Sequence, residues 1–233
     1  MTLLASTTAY WYLTRSTGAV ALLLLSATVA LGVVDLRRFA SPAWPRFAVD
    51  ELHRNLALLT LVFLLLHILT SVLDSFAPIS LTASVIPFAG SYRPFWLGLG
   101  AVSFDLLLAV TITSLIRRRI GYRSWHAVHW LSYAAWPVAL LHGFGTGSDV
   151  KSSWLQLLSA ACVLLVLVAV LVRIGWRTTG SPRARGAALA GTGAFALFLA
   201  IWLPAGPLGS EWARRSGTPS TLLGKAKRGS AHR

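Results

Sequence analysis

The fold of this chain is decided by two stretches of sequence, HRNLALLTLVFLLLH at 53–67 and HWLSYAAWPVALLH at 129–142. Each stretch has a histidine at both ends and an apolar run between them. At a helical rise of about 1.5 Å per residue, the two histidines of each stretch lie about 20 Å apart along the axis. Because ionisable side chains are costly inside hydrocarbon, two pairs at matched separations indicate a functional site within a membrane.

The composition is that of a polytopic membrane protein. Hydrophobic residues make up 55% of the 233 residues and charged residues only 12%, whereas soluble domains carry about 25% charged residues. Six apolar segments approach the roughly 20 residues that a membrane-spanning helix needs. We therefore predict an all-α fold, a bundle of six transmembrane helices that binds haem between helices 2 and 4. The predicted spans are 16–34, 50–73, 95–116, 124–142, 151–173 and 186–204. They form a haem-binding domain over 1–204, followed by a basic, partly disordered tail over 205–233.

The basic residues and the sulfur-containing residues exclude several functions. The net charge is +14, but most basic residues lie between apolar segments, and no aromatic and basic face is present for stacking bases. We therefore predict no nucleic-acid binding. Cys162 is the single cysteine and Met1 the single methionine. The sequence thus excludes an iron–sulfur cluster and covalently attached haem, and any haem is expected to have histidine ligands.

The arginines predict the orientation in the membrane. Twelve of them follow the first, third and fifth predicted spans, against three basic residues on the other side, which places the N-terminus outside an inner or plasma membrane. The twelve are Arg37, Arg38, Arg46, Arg54, Arg117, Arg118, Arg119, Arg123, Arg173, Arg177, Arg183 and Arg185, and the three are Arg15, Arg93 and Lys151. The basic tail disagrees with this rule. Either it is exported despite its charge, which we favour, or the last span is re-entrant.

In this orientation the second and fourth spans are parallel, which pairs their histidines by depth. His53 and His129 form an inner pair near the cytoplasm, and His67 and His142 form an outer pair. Each pair is predicted to bind one haem iron from both sides. Fourteen residues return to within about 40° of the same helix face, whereas thirteen leave a gap of roughly 140° in a straight helix. We expect Pro137 to kink or rewind the fourth helix and so to correct the second interval.

His126 is the alternative to His129 as a ligand, because residues three apart share a helix face. Its longer separation from His142 favours His129. His126 is then an interfacial residue, near a haem propionate.

Four further residues have two interpretations each. Asp105 lies within the third span, either as a proton-coupled or haem-tuning carboxylate or as a structural acid, and we weight the two equally. Trp136 either shortens the gap between the haems or packs in the core, and packing is favoured. Arg54 and Arg123 flank the inner level, where they either bind propionates or anchor the cytoplasmic side.

The two histidine stretches resemble the ferric reductase-like transmembrane family. This family includes the membrane parts of NADPH oxidases and ferric reductases and the haem-b subunit of the bacterial methionine sulfoxide reductase system. YRPFWLGLGAVSFDLLL at 92–108 and LLHGFGTGSD at 140–149 are also similar to short bacterial members, and the resemblance covers about 16–177. It implies two haems b, with His53, His67, His129 and His142 as axial ligands to iron.

The sequence departs from NADPH oxidases and ferric reductases in one respect. Those proteins continue into a flavin and nicotinamide domain, whereas here another apolar helix and a short tail follow, without a strand-flanked glycine-rich phosphate loop. The resemblance therefore implies a separate electron donor, either a flavoprotein or membrane quinol, or a flavin bound at the membrane surface.

The predicted function is electron transfer from a cytoplasmic or membrane donor to an outer acceptor, which is a ferric chelate, oxygen or an exported enzyme. Whether the chain is itself an enzyme is left undecided. The alternatives are a single-haem membrane subunit of an exported reductase, a haem-free transporter or proton channel that uses the histidines and Asp105, and a scaffold for an exported redox enzyme.

Overall fold

The computed structural model describes residues 2–34, 46–75, 77, 79–147, 149–176 and 181–223, and these residues form ten helices and no strand. The helices are α1 Thr2–Val34, α2 Arg46–Leu73, α3 Leu81–Val85, α4 Pro94–Leu115, α5 Arg117–Ile120, α6 Tyr122–His129, α7 Ser132–Thr146, α8 Ser153–Trp176, α9 Pro182–Ala205 and α10 Trp212–Arg215. Several residues used to predict the topology or the tail lie outside the described residues. They are Arg37, Arg38, Arg177 and the end of the tail at 224–233.

Among the described residues, five helices are long and apolar enough to cross a membrane. The five spans are Ala9–Val33, Phe47–Leu73, Pro94–Leu115, Ser153–Gly175 and Pro182–Ala205. The predicted all-α, polytopic membrane fold is confirmed. The predicted fourth span occurs as two shorter helices, α6 with 8 residues and α7 with 15, so the count of six crossings stays a prediction.

A tight turn separates α6 from α7. The backbone N–H groups of Leu131, Tyr133 and Ala134 each bond to the carbonyl three residues earlier instead of four. A turn of this kind rotates about 120° per residue against about 100° in an α-helix, so it overwinds the chain. Overwinding is the direction that the thirteen-residue interval needs. The turn lies just before Pro137, whose ring disfavours regular helix in the preceding turn.

Long apolar contacts between neighbouring helices build the interior. Helix α1 packs along α2 and α8, and α4 packs along α7. The largest core cluster consists of Leu25, Trp136, Leu140, Phe144, Val150, Val166 and Leu199. Many other leucines and valines on α2, α8 and α9 are exposed. An apolar exterior around a small interior is typical of helices that face lipid.

The connection between α2 and α4 differs from the predicted loop, because it contains the short helix α3. Ser80 caps this helix, and its side-chain oxygen accepts a hydrogen bond of 3.1 Å from the backbone N–H of Ala83. Serine is a favoured residue at this position. The cap and the following turn place Phe88 against Phe95 at the start of α4, with ring centroids 6.2 Å apart.

Candidate functional site

The structure brings the four predicted histidines together as two pairs. His53 on α2 faces His129 at the end of α6, and His67 on α2 faces His142 on α7. The ring centroids are 6.4 Å apart in both pairs. The ring planes meet at 60° in the inner pair and at 83° in the outer pair.

The separation within each pair fits a metal ion bound between the two rings. Imidazole nitrogens bind first-row metals at about 2.0–2.1 Å, and each nitrogen lies roughly 1.1 Å from its ring centroid, so two trans ligands place their centroids roughly 6.3 Å apart. Both pairs therefore fit the axial ligands of a haem iron.

Backbone carbonyls fix the orientation of both outer histidines. The Nδ1 atom of His67 lies 2.7 Å from the carbonyl oxygen of Thr14, and Nδ1 of His142 lies 2.9 Å from that of Trp96. A carbonyl oxygen can only accept, so each Nδ1 carries the proton and each Nε2 keeps its lone pair. This is the tautomer that a metal requires from an Nε2 ligand.

Glycines on neighbouring helices make room for three of the four rings. A Cβ atom at Gly18 would lie 2.9 Å from the ring of His67, and one at Gly100 would lie 2.5 Å from the ring of His142. Gly32 is less crowded, with 3.2 Å to the ring of His53. Gly18 and Gly32 are fourteen residues apart on α1, the same interval as their partners on the antiparallel α2. A glycine of α1 therefore lies next to a histidine of α2 at both the inner and the outer level.

The outer pair lines a cavity of about 280 Å³ between α1, α2, α4 and α7. His67 and His142 contribute to its wall, together with apolar side chains and with the polar Thr60 and Ser103. The cavity borders both rings of the outer pair, and it extends beyond the spans to Asp74, Ser84 and Asp149.

Charged residues also line this cavity. Arg15 on α1 forms an ion pair with Asp149, and its guanidinium carbon lies 3.2 Å from the centroid of the Trp11 ring. Asp74 at the end of α2 is a further lining residue. Arg93, which precedes α4 next to the lining residue Tyr92, does not itself line the cavity. It is buried, and burial lowers the pKa of its guanidinium against the opposing influence of Tyr92.

The inner pair has different surroundings. His129 packs against Trp125, with ring centroids 5.0 Å apart. Trp125 donates a hydrogen bond of 3.1 Å from Nε1 to the side-chain oxygen of Ser114 on α4. The Nδ1 atom of His129 is buried and has no hydrogen-bond partner among the described residues. The inner ligand on α6 is thus held by ring packing rather than by a backbone carbonyl.

His126 and Trp136 lie away from the histidine pairs. His126 is exposed, stacks on Tyr122 with centroids 5.4 Å apart and accepts a bond of 3.3 Å from Nε1 of Trp130. It is His129 and not His126 that faces His53. Trp136 is buried in the core cluster, where its Nε1 donates to the side-chain oxygen of Ser26 over 2.9 Å.

The remaining candidates are half-buried or exposed. Asp105 is half-buried on α4 and does not line the outer cavity. Arg54 is exposed and pairs with Glu51, one helical turn earlier. Arg123 is exposed at the start of α6. None of the three is placed by the structure against a histidine ring.

Sequence reasoning missed the glycines and the two carbonyl acceptors. The interval from Gly18 to Gly32 equals that from His53 to His67, so the glycines on α1 were visible as a pattern. The carbonyl acceptors were not visible, since every residue carries a carbonyl group.

Comparisons with known proteins agree on one family. The family model described as "Ferric reductase like transmembrane component" matches residues 17–140. The chain is 32% identical over 170 residues to the protein-methionine-sulfoxide reductase heme-binding subunit MsrQ of Ralstonia nicotianae, a match that covers 71% of this chain and 72% of that protein. It is 30% identical over 185 residues to MsrQ of Herminiimonas arsenicoxydans, covering 78% and 77%. No solved structure matches the chain.

Proposed function

Because the chain belongs to the ferric reductase-like transmembrane family, we propose that it transfers single electrons across a membrane through two b-type haems. The axial ligands are His53 and His129 for the inner haem and His67 and His142 for the outer haem. The observation that carries this proposal is the equal separation of 6.4 Å in two pairs at two depths. The relatives named as heme-binding subunits support the choice of cofactor.

The protein's own residues orient the ligands and limit access. Bound haem supplies the one-electron chemistry of its iron. Thr14 and Trp96 hold the Nδ1 protons of the outer ligands, which directs each Nε2 towards the cavity. If each histidine pair held a haem iron, no position on the metal would be left open, and electron acceptors would be served at the edge of the group.

The direction and the partners follow from charge and from the relatives. The excess of arginine on one side orients the inner pair towards the cytoplasm of an inner or plasma membrane. The relatives are named subunits of a reductase, which supports a separate electron donor, a flavoprotein or quinol, and an exported enzyme as acceptor. Ferric chelates and oxygen are the alternative acceptors.

A second candidate is a single-haem subunit that uses the outer pair alone. It is favoured by the contrast between the pairs, because both outer ligands donate to backbone carbonyls and line a cavity. The same hydrogen bond is lacking at His129 within the described residues. In this case the inner histidines bind no haem, and electrons enter from within the membrane.

Vesicles test the proposed function. The haem-loaded protein is reconstituted with an impermeant ferric chelate inside, and an impermeant reductant is added outside. Wild type should reduce the chelate, whereas His142→Ala and His53→Ala should each abolish the reaction. His126→Ala is the matched control and should keep it. Equal reduction by all four proteins would contradict the proposal. Reduction that requires a lipid-soluble quinol in place of the impermeant reductant, and that is lost with His142→Ala but kept with His53→Ala, would favour the single-haem form.

A further inference from the structure

Residues 205–223, which we call the strap, return over the ends of α4 and α7. The carbonyl oxygen of Gly217 accepts a hydrogen bond of 3.1 Å from the backbone N–H of Arg93. The Nε atom of Arg93 donates to the side-chain oxygen of Thr218 over 2.9 Å. The strap is thereby joined to the residue that immediately precedes α4.

Arg93 has an unusual backbone conformation at this junction. Its φ angle is 41°, in the left-handed region that non-glycine residues seldom adopt, and its side chain is only 5% exposed. Such a conformation is strained and persists only where the surroundings impose it. The bonds to Gly217 and Thr218 supply part of these surroundings. The strap therefore sets the direction in which α4 begins.

Three tryptophans connect the strap, α9 and α4. The Trp96 ring lies 5.1 Å from that of Trp202 on α9 and 5.2 Å from that of Trp212 in the strap, measured between centroids. The Trp202 and Trp212 rings are 6.0 Å apart. Trp96 also rests on Gly145 of α7, where a Cβ atom would lie 2.3 Å from its ring. Any larger residue than glycine at 145 would displace Trp96.

The carbonyl oxygen of Gly145 accepts two hydrogen bonds in the last turn of α7. One comes from Nη1 of Arg93 over 2.9 Å, and the other from Nε1 of Trp212 over 3.2 Å. Gly145 follows His142 by three residues on the same helix. The strap thus holds the helix end next to one outer histidine.

Trp96 also provides the hydrogen-bond acceptor for that histidine, because its carbonyl oxygen lies 2.9 Å from Nδ1 of His142. We propose that the strap and α9 form a clamp that positions His142 as an axial ligand, by fixing Trp96 and Gly145 relative to each other. This inference rests on the proposed function, in which His142 binds the outer haem. Gly145 and the clamp residues Trp202 and Trp212 lie beyond residues 17–140, the stretch that the family model matches.

The clamp has an electronic consequence as well as a geometric one. A hydrogen bond from Nδ1 to a carbonyl makes the imidazole a more basic ligand, which stabilises the ferric state of a bound iron. Loosening the clamp lengthens this bond. The outer haem should then become easier to reduce, so its midpoint potential should rise, while the inner haem should keep its potential.

The test compares Trp212→Ala and Trp212→Phe with Arg214→Ala in the haem-loaded, full-length protein. Arg214 lies in the same short helix but is exposed and pairs only with Glu211 in the described chain, so it is the matched control. Redox titration followed by visible spectra measures both potentials. Transfer of haem to apomyoglobin measures how tightly each haem is held.

Trp212→Ala should raise the outer potential and speed loss of the outer haem about five- to tenfold, the size expected for one lost hydrogen bond. Trp212→Phe keeps a ring but loses the donor to Gly145, and should lie between wild type and alanine; it also serves if the alanine variant fails to fold. Arg214→Ala should match wild type. Unchanged outer potential and release rate in the tryptophan variants would overturn the clamp. A wild-type protein without an outer haem would instead overturn the proposed function.

Discussion

The outer and inner histidine pairs have the same separation, but their surroundings differ. Both outer rings donate from Nδ1 to backbone carbonyls and border a cavity of about 280 Å³. In the inner pair, Nδ1 of His129 is buried without a hydrogen-bond partner among the described residues. Its ring is held by the neighbouring Trp125. The outer histidines are thus oriented by hydrogen bonds, whereas His129 is oriented by ring packing.

The spacing of the ligands and their orientation therefore depend on different parts of the molecule. Spacing comes from two helices that carry histidines at matched depths. Orientation comes from α1 and α4, which supply the carbonyl acceptors and the glycines next to the outer rings. A ligand fixed before binding loses less conformational freedom on binding, so the outer site should hold its haem more tightly.

Removing one ligand from each pair should have the largest effect. We expect His142→Ala to lower the haem content from about two to about one per chain, because an iron that loses one of two axial histidines is poorly retained. His129→Ala should remove the other haem. Haem quantification of the purified variants, with visible spectra, measures this. Loss of both haems from either variant would show that the sites are not separate.

Crowding the rings should distinguish the pairs next. Gly100→Ala places a Cβ atom 2.5 Å from the His142 ring, whereas Gly32→Ala leaves 3.2 Å to the His53 ring. Overpacking costs about 1–3 kcal/mol, so the first variant should weaken outer haem binding roughly 5- to 150-fold, and the second should have a smaller effect on the inner haem. The release rate to apomyoglobin measures both.

Gly191→Ala is the control for these variants, because an added Cβ atom there would meet nothing within 4 Å. It should release haem at the wild-type rate. If Gly32→Ala accelerated haem release more than Gly100→Ala did, the expected difference in crowding between the two sites would be contradicted.

The angle between ring planes should give the two haems different electron paramagnetic resonance spectra. Nearly perpendicular imidazole planes produce a more anisotropic low-spin ferric signal than inclined ones. The outer pair, at 83°, should therefore give the more anisotropic signal, and the inner pair, at 60°, the less anisotropic one. His129→Ala, which keeps only the outer haem, assigns them. Retention of the less anisotropic signal in that variant would contradict the geometry.

Arg54→Ala should have the smallest effect. Its ion pair with Glu51 is exposed, and such pairs contribute about 0–1 kcal/mol. We expect unchanged inner haem content and a shift in thermal unfolding within experimental scatter. Loss of the inner haem would instead indicate that Arg54 binds a haem propionate. The inner site would then differ less from the outer site.

The pairing of the histidines could be predicted because it depends on depth alone. Helical rise gives depth directly, and it pairs His53 with His129 rather than with His126, the same two rings that face each other across α2 and α6. The rotation around the helix between His129 and His142 could not be predicted in this way. The chain overwinds at Leu131–Ala134, and this depends on local hydrogen bonding that no periodicity reports.

The environment of the outer site was not predictable for a different reason. The segment that meets α4 at Arg93 is the strap, which is distant in the sequence. Thr218, whose side chain accepts a hydrogen bond from Arg93, comes 125 residues after it. Its composition, rich in glycine and serine, is shared by loose tails and by ordered segments. Only tertiary contacts, such as those of Trp212 with Trp96 and Gly145, separate the two.

Redox titration of the purified wild-type protein, combined with haem quantification, tests the two-haem proposal most directly. We predict about two b-type haems per chain, both low-spin, with two one-electron steps, and the more slowly released haem should be the one lost in His142→Ala. One haem per chain with a single step would contradict two transmembrane sites and leave the single-haem subunit. A protein that binds no haem after haem-supplemented expression would contradict both.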